Sequence, residues 1–176
     1  LFKEGQMEEA LHHYREAIRI RPNYANANNN IGLVLMKIGE TELAIDHYGK
    51  ALRIIPNYPA AHINMGIAVA KKGDTEAAIS HFQAALAIQP RHALAHNNMG
   101  IAMAKKGDVE AAIRHFRLSL ESEPKDADTH NNLAIALANK GYGLRSGGAT
   151  GADSAFQEGA EIAGGRTCIY LPWKDY

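Results

Sequence analysis

Residues 59–92, which read PAAHINMGIAVAKKGDTEAAISHFQAALAIQPRH, decide the fold because residues 93–126 repeat 20 of these 34 residues at the same positions. Four columns keep a step of 34 residues along the chain, formed by proline, glycine, alanine and aromatic residues. They are Pro22, Pro56, Pro90 and Pro124; Gly39, Gly73, Gly107 and Gly141, with Gly5 one step earlier; Ala10, Ala44, Ala78 and Ala112; and Tyr14, Tyr48, Phe82 and Phe116. Four columns in one phase indicate a repeat architecture.

Each copy predicts two helices joined by a tight turn. In residues 61–72 the apolar side chains recur at helical spacing, and Gly73 suits the left-handed position that ends a helix. Asp74 is placed to cap the next helix. That second helix buries Ala78, Ile79, Phe82, Ala85 and Leu86 and ends before Pro90. Small residues at Gly66 and Ala78 allow a close antiparallel approach, and only a neighbouring pair can cover the remaining apolar face. The sequence therefore predicts an all-α solenoid.

The pattern A-x-x-N-[hydrophobic]-G…G-[DE]-x-x-x-A-[IL]-x-x-[YF]…P resembles the tetratricopeptide repeat (TPR) family over residues 1–141. This resemblance implies a right-handed superhelix of helix pairs, each with a helix A and a helix B, and a protein-interaction scaffold rather than an enzyme. The register divides the array into a helix B (1–24), full repeats (25–58, 59–92 and 93–126) and a last helix A (127–140). With no polar capping helix at either end, self-association through the terminal helices is also expected.

The face of helix A opposite the packed side lines a concave groove in the family, and four rows of residues follow it. The asparagine row is Asn30, Asn64, Asn98 and Asn132, and the adjacent row is Asn29, Ile63, Asn97 and Asn131. The aliphatic row is Leu33, Ile67, Ile101 and Ile135, and the lysine row is Lys37, Lys71 and Lys105, followed by Asn139. We expect the asparagines, aliphatic residues and lysines of these rows to form a peptide-binding site.

An asparagine side chain offers donors and an acceptor that match the N–H and C=O of a peptide. Neighbouring helices lie about 8–10 Å apart and an extended peptide rises about 3.3 Å per residue, so the row can meet a backbone at about every third residue. The row resembles the asparagine ladder of the TPR arrays in O-linked N-acetylglucosamine transferases, which implies an extended peptide partner bound with little sequence demand. The lysine row favours an acidic peptide as the partner. The alternative is that these asparagines bond to neighbouring helix backbones and order the stack.

A second type of TPR groove grips a C-terminal carboxylate with Lys, Asn and Arg. It requires Lys where this chain has Asn29 or Ile63, and Asn where it has Leu33 or Ile67. Only Asn64 fits that pattern, so the sequence disfavours a carboxylate clamp.

Most histidines fall in two columns, which are His62, His96 and His130 on helix A and His13, His47, His81 and His115 on helix B. We expect them in packing between repeats, with pairs such as His81 and His96 close together. Zinc requires three or four ligands around one ion, and repeat-spaced columns do not converge in that way. Ser119 falls in a small-residue packing column with Ala51 and Ala85. We therefore expect no catalytic residue, metal site or cofactor in the repeats.

Composition narrows the function classes further. Lys and Arg total 19, as do Asp and Glu, which argues against nucleic-acid or membrane binding by bulk charge. The single cysteine, Cys168, excludes an internal disulfide. No apolar run approaches the roughly 18 residues of a membrane span. A cytoplasmic protein is the default expectation.

From Tyr142 onward the 34-residue repeat pattern is no longer present, and glycine becomes frequent. Residues 142–146 predict a strand, 147–153 a glycine-rich loop, 152–163 a helix and 167–171 a second strand, which together make a β-loop-α-β unit over 142–176. The string LRSGGATGADSAFQEGA resembles the Rossmann-like SLOG superfamily, which includes DprA-type proteins. By that resemblance a nucleotide-derived ligand would be bound by Ser146, Gly147, Gly148, Thr150, Gly151 and Asp153. The alternatives are an inactive remnant, or a nucleotide-binding protein that the repeats recruit to a partner.

Overall fold

The computed structural model describes the backbone of residues 2–146 and the side chains of residues 5–141. All regular structure in this range is helical. The helices are α1 (Phe2–Ile20), α2 (Ala25–Lys37), α3 (Thr41–Ile54), α4 (Pro59–Lys71), α5 (Thr75–Ile88), α6 (Ala93–Lys106), α7 (Val109–Ser122) and α8 (Ala127–Ser146). None of them combines the length and the apolar content needed to cross a membrane.

The helices stack in chain order. Pairs α2–α3, α4–α5 and α6–α7 form the repeats, α1 packs on α2, and α8 packs on α7. The A helices α2, α4, α6 and α8 also contact one another in sequence. The predicted all-helical solenoid is confirmed, and this stacking places the groove rows side by side.

The turns from helix A to helix B in the three full repeats share one backbone geometry. Gly39, Gly73 and Gly107 adopt φ values of 89°, 92° and 89°, in the left-handed region that disfavours a side chain. The next residue, when it is aspartate, caps helix B: an Asp74 carboxylate oxygen accepts the Ala77 N–H at 3.0 Å. Asp108 accepts the Ala111 N–H at 2.9 Å. The predicted glycine end and aspartate cap are confirmed.

In each of the three full repeats a glycine of helix A faces an aromatic ring of helix B. A Cβ added to Gly66 would lie 2.5 Å from Cε1 of Phe82, and one added to Gly100 would lie 2.6 Å from Cε1 of Phe116. Both rings are almost fully buried. The missing side chain therefore sets the distance between the two helices, as the sequence predicts.

Small residues close the junctions between repeats, with Ala51 against Ala61 and Ala85 against Ala95. At the last junction two hydroxyl residues, Ser119 and Thr129, are fully buried instead. Ser119 Oγ donates to the Ala93 carbonyl at 2.9 Å, and Thr129 Oγ1 donates to the Asp126 carboxylate. Ser119 is thus a packing residue with a satisfied hydroxyl group.

The end of the array differs from the prediction. The sequence predicts a break at Gly141 and a strand over residues 142–146, but α8 continues to Ser146. In the earlier repeats the glycine is followed by an acidic residue at the start of helix B, whereas Tyr142 follows Gly141 and offers no cap. Leu144 and Arg145 are good helix formers, which favours continuation. The remainder of the predicted β-loop-α-β unit lies outside the described residues.

Candidate peptide-binding groove

Each A helix presents one residue of the asparagine, aliphatic and lysine rows on the same face. On α4 these are Asn64, Ile67 and Lys71, at spacings of three and four residues. The equivalent strips are Asn30, Leu33 and Lys37 on α2; Asn98, Ile101 and Lys105 on α6; and Asn132, Ile135 and Asn139 on α8. Because adjacent A helices touch, the strips lie next to one another.

Two members of the asparagine row form rungs between neighbouring A helices. Asn64 Nδ2 donates to Asn29 Oδ1 at 2.9 Å, and Asn132 Nδ2 donates to Asn97 Oδ1 at 3.1 Å. These amides do order the stack, but their partners are side chains and not the helix backbones that the alternative hypothesis named. Donor and acceptor are 35 residues apart in each rung, so a comparison of 34-residue columns gives no sign of the bond.

The middle rung is missing. Ile63 occupies the position of Asn29 and Asn97 and is only 2% exposed, so α4 offers Asn98 no amide at that point. Asn98 Nδ2 instead donates to the carbonyl oxygen of Leu94 in its own helix, at 2.8 Å. The amide ladder is therefore interrupted at the centre of the array.

The rungs leave part of each amide unused. Asn64 and Asn132 are half-buried, and each employs one of its two N–H groups in the rung. Within residues 5–141, no protein donor reaches the Oδ1 of either side chain. Asn29 differs from its prediction: it is 4% exposed, so it orients Asn64 and is not itself open to a partner. Asn30, Asn97 and Asn98 are half-buried and Asn131 is exposed.

The aliphatic row is partly buried against the core and partly exposed. Leu33 is 39% exposed, whereas Ile67, Ile101 and Ile135 are half-buried. Leu94 is 49% exposed one helical turn before Asn98 on α6, on the predicted groove face but outside the four rows named from the sequence. Its row reads Asn26, Ala60, Leu94 and Asp128, so no recurring residue type marks it.

The lysine row lacks carboxylate partners, unlike the lysines next to it. Lys72, Lys106 and Lys140 form ion pairs with glutamates of the preceding helix B, at 2.5, 2.8 and 2.7 Å. Lys37, Lys71 and Lys105 are exposed, and no carboxylate of residues 5–141 lies within ion-pair distance of them. The lysine row is therefore a line of positive charge without a carboxylate partner among the described residues, although the chain carries no net charge.

The histidine columns meet inside repeats and not between them. The Nδ1 atoms of His62 and His81 lie 3.1 Å apart, and those of His96 and His115 lie 3.0 Å apart. The expected pairing of His81 with His96 is wrong, because residues 19 apart face each other across the antiparallel helices of one repeat. In residues 5–141 no three potential ligand side chains gather round one point.

The residues that the SLOG resemblance assigns to a ligand lie at or beyond the end of the described residues. Ser146 ends α8, and Gly147, Gly148, Thr150, Gly151 and Asp153 lie outside the described residues.

Three family models identify the repeats. A TPR repeat model matches residues 1–39, and two tetratricopeptide repeat models match residues 23–91 and 63–127. The chain therefore belongs to the tetratricopeptide repeat family, over residues 1–127. No curated protein sequence matches it.

Several solved structures share the fold. MamA from Desulfovibrio magneticus RS-1 (residues 41 to its end) is 22% identical, with 95% of this chain and 91% of that chain covered and a TM-score of 0.69. TTC0263, a thermophilic TPR protein of Thermus thermophilus, is 22% identical over 78% and 76%, with a TM-score of 0.67. The first TPR of Spaghetti (RPAP3), bound to the HSP90 peptide SRMEEVD, is 24% identical over 66% and 93%, with a TM-score of 0.65. At these identities the similarity shows the fold alone.

Proposed function

We propose that the protein is an interaction scaffold that holds an extended, acidic segment of a partner protein along the asparagine, aliphatic and lysine rows. The observation that carries this proposal is the contrast between neighbouring lysines. Lys72 and Lys106 are neutralised by glutamates, whereas Lys71 and Lys105, one residue earlier on the groove side, have no carboxylate among the described residues. An acidic segment would supply the missing charges.

The amides would bind the backbone of that segment. In Asn64 and Asn132 the rung bond fixes the orientation of the side chain before a partner arrives, which lowers the entropy lost on binding. Each hydrogen bond contributes a net of about 0.5–1.5 kcal/mol, so affinity depends on several acting together. Leu33, Ile67 and Leu94 would add apolar contact between the amides.

The class of partner is tested by selecting binders to the protein from a display library of random peptides, each long enough to cross all four A helices. The affinity of the selected peptides is then measured by fluorescence anisotropy. We expect peptides rich in Asp and Glu. Lys71→Gln with Lys105→Gln should weaken the selected peptide about 2- to 30-fold, in the range of exposed ion pairs, and added salt should reduce this difference. Asn64→Ala with Asn98→Ala should weaken it about 5- to 150-fold.

Lys72→Gln with Lys106→Gln is the matched control, since it removes the same charge from the next residue along the chain, outside the lysine row. Equal losses in both lysine variants would refute the lysine row as the acid-binding edge. Unchanged affinity in the asparagine variant, with helicity intact, would restrict the asparagines to ordering the stack. A selection without acidic enrichment would refute the proposed partner class.

Self-association through the terminal helices is a separate expectation, and one observation opposes its simplest form. In a head-to-tail array, α1 of a second copy would supply the helix B that follows α8. Repeat spacing would then place Tyr14 of that copy against Ala134, where the earlier repeats have glycine. Ala134 carries the Cβ that the aromatic ring does not tolerate at Gly66 or Gly100.

A further inference from the structure

The two histidine couples, His62–His81 and His96–His115, have fixed hydrogen-bond directions. His62 Nε2 lies 2.9 Å from the carbonyl oxygen of Pro56, and a carbonyl can only accept, so this nitrogen carries a hydrogen. A neutral imidazole has one N–H group. His62 Nδ1 is therefore bare and accepts the bond from His81 Nδ1–H.

The second couple has the same arrangement. His96 Nε2 donates to the Pro90 carbonyl at 2.9 Å, so His115 Nδ1 donates to His96 Nδ1. Ring centroids 5.4 and 5.3 Å apart, with Nδ1 atoms 3.1 and 3.0 Å apart, place the two nitrogens head-on in each couple.

This geometry limits how many protons a couple can hold. With one added proton, one of the two Nδ1 atoms still carries no hydrogen, so the Nδ1–H···Nδ1 bond stays intact. A second must bind this remaining bare Nδ1 atom. It would set two N–H groups head-on across the 3.1 or 3.0 Å between the nitrogens and place two positive charges side by side. Each couple therefore admits one proton and excludes the next.

The surroundings do not offset this repulsion. Among the described residues, the only ionisable group that acts on His81 is His62, and the pKa of His81 is lowered by burial first and by His62 second. His96, Arg114 and Asp108 are the ionisable groups that act on His115. Burial has the largest effect and lowers the pKa of His115, and His96 lowers it further. Only Asp108 raises it. Apart from Asp108, no described carboxylate raises the pKa of His81 or His115.

The first repeat provides a natural comparison. There Asn28 replaces the helix A histidine, and its Oδ1 lies 3.1 Å from His47 Nδ1. An amide oxygen accepts from Nδ1–H whether His47 is neutral or charged, so this Asn–His pair has no mutual exclusion. Its hydrogen bond survives protonation, unlike that of a doubly protonated couple.

We propose that the two histidine couples form a pH-sensitive joint, which fastens helix A to helix B in its neutral or singly protonated form and destabilises the array as the pH falls below about 6.5. In the unfolded chain all four rings bind protons as the pH falls through about 6.5. The folded couples bind fewer, so unfolding takes up protons and becomes more favourable at low pH. Between about pH 7.5 and 5.5, one excluded proton raises the unfolding constant about tenfold, and two couples raise it about 100-fold.

The variant His62→Asn with His96→Asn tests the joint, because it installs the Asn–His pair of the first repeat in the other two. Urea unfolding is followed by circular dichroism at about pH 7.5 and 5.5. Lowering the pH from about 7.5 to 5.5 should raise the unfolding constant of the wild type about 100-fold more than that of the variant. His130→Asn is the control: His130 shares the proline carbonyl bond, at 3.0 Å to Pro124, but Ala149 stands where its ring partner would be in the sequence.

The reciprocal variant, His81→Asn with His115→Asn, separates coupling from simple burial. If the pair excludes the proton, either variant abolishes the joint's pH effect. If burial alone keeps each ring from binding a proton, each variant removes only the contribution of its own two rings to the pH effect. The two contributions then add up to the wild-type effect, and the proposal fails. Equal pH dependence in wild type and both variants also overturns it.

A measurement on the wild type guards against variants that do not fold. Long-range ¹H–¹⁵N spectra at about pH 7.5 should show His62 and His96 as Nε2–H tautomers and His81 and His115 as Nδ1–H tautomers. Four Nε2–H tautomers, or four rings that become fully charged by about pH 5 in a folded protein, would contradict the joint.

Discussion

Replacing Gly66 with alanine tests the contact that spaces the helices of a repeat. The added Cβ would lie 2.5 Å from Cε1 and 2.8 Å from Cδ1 of Phe82, about 1 Å inside van der Waals contact. The ring is almost fully buried and packs with Met99 and Ile79, so it has no room to move without displacing the core. Overpacking of this kind costs about 1–3 kcal/mol.

The same substitution also brings a gain, because alanine is favoured over glycine inside a helix by about 1 kcal/mol. We therefore expect a net loss of up to about 2 kcal/mol in the free energy of unfolding, measured by urea denaturation. Gly49→Ala is the matched control. Its Cβ would meet only Arg53 Nη1 and Met65 Cε at 3.7 Å, an ordinary contact, so it should gain about 1 kcal/mol.

A double-mutant cycle identifies the cause of the loss. With Phe82→Leu the aromatic ring is absent, and Gly66→Ala should then be neutral or stabilising. If Gly66→Ala costs the same stability with and without the Phe82 ring, or if it behaves like Gly49→Ala in the wild type, the steric reasoning is refuted.

Three further outcomes follow from the contacts. Asp108→Ala removes a capping bond and should cost about 1 kcal/mol in urea unfolding, whereas Glu40→Ala should change little because Glu40 makes no side-chain cap; equal losses would contradict the cap. Asn64→Ala breaks a rung between helices and should cost about 0.5–1.5 kcal/mol, more than Asn98→Ala, whose bond lies within one helix; the reverse order would contradict the rungs. Because of Ala134, we expect sedimentation equilibrium to show no head-to-tail assembly, and Ala134→Gly to increase association; polymers of the wild type would contradict this.

The sequence predicts the repeat architecture well because the positions that determine it recur every 34 residues. Gly66, Phe82, Gly73 and Asp74 each have a local or nearby task, such as ending a helix, capping one or fitting two together, and that task leaves a residue type in a fixed column. The end of α8 is not predicted, because Gly141 is followed by Tyr142, whereas in the three full repeats the glycine is followed by an acidic residue that precedes helix B.

Features of the groove that depend on two neighbouring columns were harder to predict. Asn64 reaches Asn29 only because one row lies beside another across adjacent helices, and the isoleucine at 63 then removes the partner of Asn98. The histidine partners depended on which helices of the stack face each other, and His62 contacts His81 of its own repeat. Column patterns identify the faces of helices, whereas contacts between columns require the stacked structure.

The role of the groove in binding is tested most directly by ¹⁵N chemical-shift mapping with a selected acidic peptide. We expect the side-chain amide signals of Asn64, Asn98 and Asn132 to shift, together with backbone signals of α4 and α6. Lys71→Gln with Lys105→Gln should require more peptide for the same shifts. Saturable shifts confined to the B helices α3, α5 and α7, with the asparagine amides unmoved, would contradict a groove-bound partner.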